Sequence, residues 1–208
     1  SNYIALLKKA MWAAGFRDIP VLSANVVNLY KNQVFKFTPS LIRKAIMAMV
    51  YGDLLMMALH KVRPYELIKG SANHLYAKWM ENCKRKLVSC NRSAFQSSLN
   101  EIVKDFESIP IENEKKLKVG LVGEILVKYH PMANNNMVEF IESMGAEMVI
   151  PGLSDFFLYC AYGGDKKNRY MGGNKARRMM GGLFLLYVEN YRDDMRKALK
   201  TSSRFHVP

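Results

Sequence analysis

Glu124 follows Gly123 at the end of an apolar run, and Asn134, Asn135 and Asn136 stand together just before the next helical pattern. A carboxylate at the carboxyl end of a strand sits where open α/β sheets bind ligands. The competing reading is a salt bridge from Glu124 to a neighbouring helix. One asparagine can cap a helix, but three exceed what a cap needs. Their amides could hold a polar ligand or a neighbouring loop, and free N–H groups at the helix start could meet an anion. Gly123 suits a tight strand exit or the close approach of a ligand or chain.

The thiols invite a metal reading. Cys83 and Cys90 share one predicted helix, where seven positions at helical rise separate them by about 10 Å, too far for one compact four-iron cluster. They read as structural or surface thiols. Cys160 follows "SDFFLY" close to the ligand edge of the predicted sheet. It could supply one ligand to a composite site or serve as a small buried hydrophobe. No close-spaced Cys/His zinc pattern and no nucleophile triad stands out. Arg63 and Tyr65 bracket Pro64, and Glu66 follows. Proline fixes the geometry of this turn. Either an Arg63–Glu66 pair locks two helices, or Arg63 and Tyr65 face an anionic substrate or partner. "GLVG" at 120–123 is no nucleotide fingerprint, because neither GxGxxG nor a P-loop occurs.

The elements that must position these residues can be read from periodicity. Residues 3–14 pattern as a helix stopped at Gly15, and "IPVLSAN" reads as a short strand near 19–24. Thr38-Pro39 starts a broad apolar helix to about 61. Helices follow over about 71–90 and 92–107, then a polar linker at 108–116. "LKVGLVG", 117–123, reads as a covered parallel strand. A helix at 135–144 ends at Gly145, and 146–151 is the next strand. Residues 153–162 pattern as a helix, 163–173 as a mobile basic loop, and 174–200 as a last helix with a kink at Gly181-Gly182. The fold class expected is α/β, a Rossmann-like parallel-sheet unit with a substantial helical part. Residues 1–110 form a mainly helical region, and 116–208 a Rossmann-like region with a C-terminal helix.

Composition bounds the partners. The 208 residues are 50% hydrophobic, enough for a real core, and no uninterrupted apolar run reaches membrane-span length. No signal-peptide order is present. Three cysteines without close spacing fit a reducing cytoplasm. The formal charge of +13 is scattered over several elements, which argues against a concentrated nucleic-acid surface. It permits contact with an acidic partner or phosphate, particularly from the basic stretch at 165–178.

Long ordered motifs then add a resemblance. "YGDLLMMALHKVRPYELIKGSANHLYAKW", "KVGLVGEILVKYHPMANNNMVEFIESMGAEMVIPGLSDFFLYC" and "IPVLSAN" resemble the activase-related 2-hydroxyacyl-CoA dehydratase family over about residues 1–165. The likeness is to the carboxyl-terminal region of long bacterial proteins that join activase-like ATPase modules to a dehydratase-like module. It implies a Rossmann-like fold and a [4Fe-4S] cluster held by cysteines from several domains. It also implies an ATP-hydrolysing activase partner that delivers a low-potential electron, and radical dehydration of an acyl-CoA substrate. Cys160 would be the cluster ligand, with Gly123, Glu124 and Asn134–Asn136 facing the cleft between modules. The segment carries no activase nucleotide-binding signature and no full cysteine set, so it is expected to depend on other modules for catalysis. The alternative is a non-catalytic interaction domain that docks activase or partner modules.

Overall fold

A computed structural model describes residues 2–19, 21, 38–89, 91–170, 172 and 175–205. The chain divides into two compact units, Ser1–Pro39 and Ser40–Pro208. In the first, helix α1 (Asn2–Ala13) closes where Phe16 N–H donates to the Met11 carbonyl and Gly15 takes a left-handed φ of 86°. That is the conformation a glycine stop supplies. The strand expected near 19–24 lies largely outside the described residues.

The second unit is built on α2 (Pro39–Val62), which begins at the proline as expected. Met47, Val50, Tyr51, Leu54, Leu55, Ala58 and Val62 are all buried on it, at three- and four-residue spacing. That spacing makes one wide apolar face. The helix and the turn after it, Pro39–Tyr65, are long and apolar enough to cross a membrane by composition, a property the sequence reading did not assign; here the apolar face is spent on the core. A 3-10 turn at Arg63–Tyr65 leads to α3 (Ser71–Ser89). Glu66, buried, accepts from Gly70 N and Ala72 N at 2.7 Å each and satisfies amides at the start of α3. Helix α4 (Arg92–Glu107) is capped by Asn91, whose side chain accepts from Ser93 N and Ala94 N. It drives Phe95, Leu99, Ile102, Val103 and Phe106 into the core.

After the linker the chain forms β1 (Lys118–Gly120), α5 (Ile125–Tyr129), a 3-10 turn (Pro131–Asn134), α6 (Met137–Ser143) and β2 (Glu147–Val149). β1 and β2 pair in parallel, with Val119 opposite Met148. The described residues are therefore mostly helical, with a small two-stranded parallel sheet. The first strand is three residues, not the seven expected, and it is not covered: Leu117 is 76% exposed and Val122 78%. A continuous apolar run needs cover on both faces to stay a strand, and here Val119 and Leu121 are only partly covered while Leu117 and Val122 lie open. The short helix α5 was not foreseen, because its five residues carry too little period to read.

Helix α7 (Leu153–Tyr170) runs on through Gly163 and Gly164, where a loop was expected. Helix α8 (Lys175–Lys200) likewise passes Gly181 and Gly182. Glycine costs only about 1 kcal/mol inside a helix, so packing of the flanking turns can carry the helix through it. Leu185, Val188, Tyr191, Ala198 and Leu199 of α8, with Leu158 of α7 and Phe205, complete the core.

Candidate functional site

The carboxyl ends of β1 and β2 give onto one edge of the sheet, because the strands are parallel. Gly123 leaves β1 with φ at 138°, a conformation that side chains rarely adopt. Glu124 follows as the N-cap of α5, its carboxylate accepting from Leu126 N at 2.7 Å. It makes this local contact in place of the salt bridge weighed from sequence, and the residue stays exposed at the strand exit.

The three asparagines divide their work. Asn134 is buried: its amide donates to the Val127 carbonyl at 3.0 Å, and its carbonyl oxygen accepts from Met137 N at 3.2 Å. It staples α5 to the start of α6. Asn135 and Asn136 have φ of 54° and 52°, both left-handed. Asparagine tolerates this region better than other residues with a β-carbon. The run thus turns the chain between two helices, and its repetition was itself a readable signal for that backbone.

The loop after β2 gathers residues that the sequence did not place together. Tyr129 of α5 donates from its hydroxyl to the Pro151 carbonyl at 2.6 Å. Asp53 of α2, 6% exposed, accepts from Leu153 N at 2.7 Å and Ser154 N at 2.9 Å, and so caps α7 from a distant helix. Burial pushes the Asp53 carboxyl above its usual range, against the pull of those donors. Gly152 makes the approach possible, since a β-carbon there would lie 2.7 Å from Asp53 Oδ2. Asp155 accepts from Gly152 N at 3.0 Å and pairs with Arg192 of α8. Burial raises the Tyr129 hydroxyl to about 12, with the Asp53 and Asp155 charges adding to the effect. Nothing local marks Asp53 in the sequence, because its partners are about a hundred positions away.

Arg63 and Tyr65 turn toward the α/β elements. Arg63 grips Glu142 of α6 with two bonds, Nε to Oε2 at 2.6 Å and Nη2 to Oε1 at 2.9 Å, and reaches Asn73 at 3.2 Å. The partner is Glu142 and not Glu66, which is engaged at the start of α3. Tyr65 donates to Glu147 of β2 at 2.7 Å, and Lys118 lies 4.0 Å from the same carboxylate. Burial and that carboxylate together raise the Tyr65 hydroxyl to about 12.

Cys160 is exposed on α7. Cys83 is buried, and desolvation lifts its thiol to about 12, which suits a core thiol and not a thiolate ligand. Cys90 lies outside the described residues. No group of three His, Cys, Asp or Glu side chains able to hold a metal occurs among the described residues. Among the described residues, no donor set for an iron–sulfur cluster is brought together. The structure brings Glu124 and the asparagines into one loop system and Arg63 with Tyr65 into another. An open groove of about 560 Å³ lies elsewhere, between the start of α3 and the end of α4, with His74, Lys78 and Asp105 on its walls.

No protein-family model, curated protein or solved structure matches this chain. The site's chemistry therefore rests on its own geometry. Several of its polar groups are engaged within the chain, while Glu124, Asn135, Asn136, Asp155 and Cys160 are exposed.

Proposed function

We propose that this chain is a dehydratase-like module of a CoA-substrate enzyme system, working within a larger protein beside an ATP-dependent activase. The observation that carries the reading is the parallel β1–β2 pair, which sends Gly123–Glu124 and Pro151–Gly152 to the same sheet edge. Ligands of open α/β layers bind at that edge. The ordered motifs over 118–160 that resemble the dehydratase family cover the same elements. In this reading the pair belongs to a Rossmann-like layer whose covering strands come from elsewhere in the full protein. Cys160 supplies one thiolate to a [4Fe-4S] cluster shared between modules, and Glu124 with Asn134–Asn136 shapes the loops beside an acyl-CoA ligand. The chain by itself is not expected to catalyse.

A second reading, a non-catalytic domain that docks activase modules, is favoured by the engagement of Asp53, Arg63 and Tyr65 in internal contacts. Anaerobic iron and acid-labile sulfide content separates the two, measured on the longest parent protein with and without Cys160→Ala. About four irons per protein, lost or weakened in the variant, is the result expected for a composite cluster. Unchanged cluster content removes Cys160 from the ligand set. Absence of a cluster in both proteins favours the docking module, to be followed by binding measurements against the ATPase modules.

A further inference from the structure

The α/β elements are held to the helical layer by polar ties and not by a shared core. The contiguous buried core runs through α2, α3, α4, α7, α8 and Phe205. It leaves out Ala146 and Met148, the two buried apolar residues of the α/β unit. Among the described residues, what joins the unit to the layer is a short set of side-chain bonds, and Tyr129 also ties the unit to its exit at the Pro151 carbonyl. Arg63 holds Glu142 with two of them, and Tyr65 holds Glu147 with one. Both grips come from the same proline-fixed turn at the end of α2. The chain enters the unit through exposed residues 113–115 and leaves through Pro151–Gly152, where Asp53 holds the start of α7.

Apolar burial is cooperative over a contiguous core, whereas a few partly exposed polar bonds open locally. We propose that residues 118–150 open by local unfolding as one cooperative unit, latched to the helical layer by Arg63 and Tyr65, while the 113–115 entry and the Asp53-held exit stay in place. Opening frees Glu142 and Glu147 and bares Met148 without disturbing the helical core. The latch is adjustable, since it depends on two side chains of one turn.

Native-state hydrogen exchange on the full chain tests this, comparing the unaltered protein with Arg63→Met and Tyr65→Phe. The amides of Leu121, Phe140 and Glu147, which are hydrogen-bonded in the unit, should share one opening that is much easier than that of the α4 amides. Each variant should speed exchange in the unit by about tenfold or more while leaving Ile102 and Val103 unchanged. Protection at Ile102 and Val103 also reports that the variant has folded. The proposal is overturned by one common opening for α4 and the unit, by equal acceleration of both in the variants, or by unchanged exchange of the unit in both variants.

Discussion

Phe106 is fully buried at the end of α4, while Leu117, one linker later, is 76% exposed. The two regions on either side of that linker are held by different physics. The helical layer interlocks apolar faces from five helices, with Tyr51, Phe95 and Tyr191 meeting edge to face at 4.8 and 5.7 Å. The α/β unit is held by individual bonds: the Glu124 cap, the Asn134 staple and the Arg63–Glu142 pair. Burial of area resists single changes by spreading its energy, but loses much when a large core side chain goes. A bond-held unit loses a defined amount at each named atom.

The largest effect should come from the core. Phe106→Ala is expected to cost about 3–5 kcal/mol in denaturant unfolding, as loss of a buried aromatic does. A cost near that of a surface change would remove the contrast between the regions.

Acid should act next, again on the helical layer. His60 is buried near Arg63, and burial first, then that charge, lowers its imidazole to about 4. Between about 4 and its ordinary 6.5 the unfolded chain binds more protons, so stability falls as pH falls through that window. The loss is on the order of 3 kcal/mol. Asp53 works in the opposite sense, because its raised carboxyl takes up a proton in the folded state first. Unfolding curves from pH 7 to 4 should flatten in His60→Leu; an unchanged slope would dismiss His60 as the cause.

Asp53→Asn tests a polar tie inside the helical layer, at the point where the chain leaves the α/β unit. One amide oxygen cannot replace two carboxylate oxygens opposite Leu153 N and Ser154 N, and a cost of about 1–3 kcal/mol is expected. Asp53→Ala should be at least as severe. If both variants unfold at the denaturant concentration of the unaltered protein, the cap contributes nothing.

Smaller effects should mark the turn and the short helix. Asn136→Ala is expected to lose about 1 kcal/mol and Asn136→Gly almost nothing, because the demand is for a left-handed backbone. Equal losses from both would point to the side chain instead. Glu124→Ala should cost about 0.5–1 kcal/mol, the ordinary value of a cap. A far larger loss of ligand binding than of stability in the parent protein would sharpen the case that the exposed carboxylate also serves a ligand.

Much of the helical layer was legible because it is written in neighbouring residues. Pro39 begins α2 as expected, and the periods over about 71–90 and 92–107 mark α3 and α4. The sheet was legible in position but not in length, since strand extent depends on what covers Leu117 and Val122. Of the site residues, Glu124 lies beyond the carboxyl end of β1, and its bond to Leu126 N depends on the unforeseen α5.

The sequence by itself determined where the helices of the core begin, which faces they bury, and which backbone positions need Gly123 or an asparagine. Those properties depend on the period and conformational freedom of a few adjacent residues. Only the tertiary structure decided that Arg63 meets Glu142, that Tyr65 meets Glu147 and that Asp53 caps α7. Each of those bonds joins residues some eighty to a hundred positions apart, and no local pattern records a partner brought there by packing.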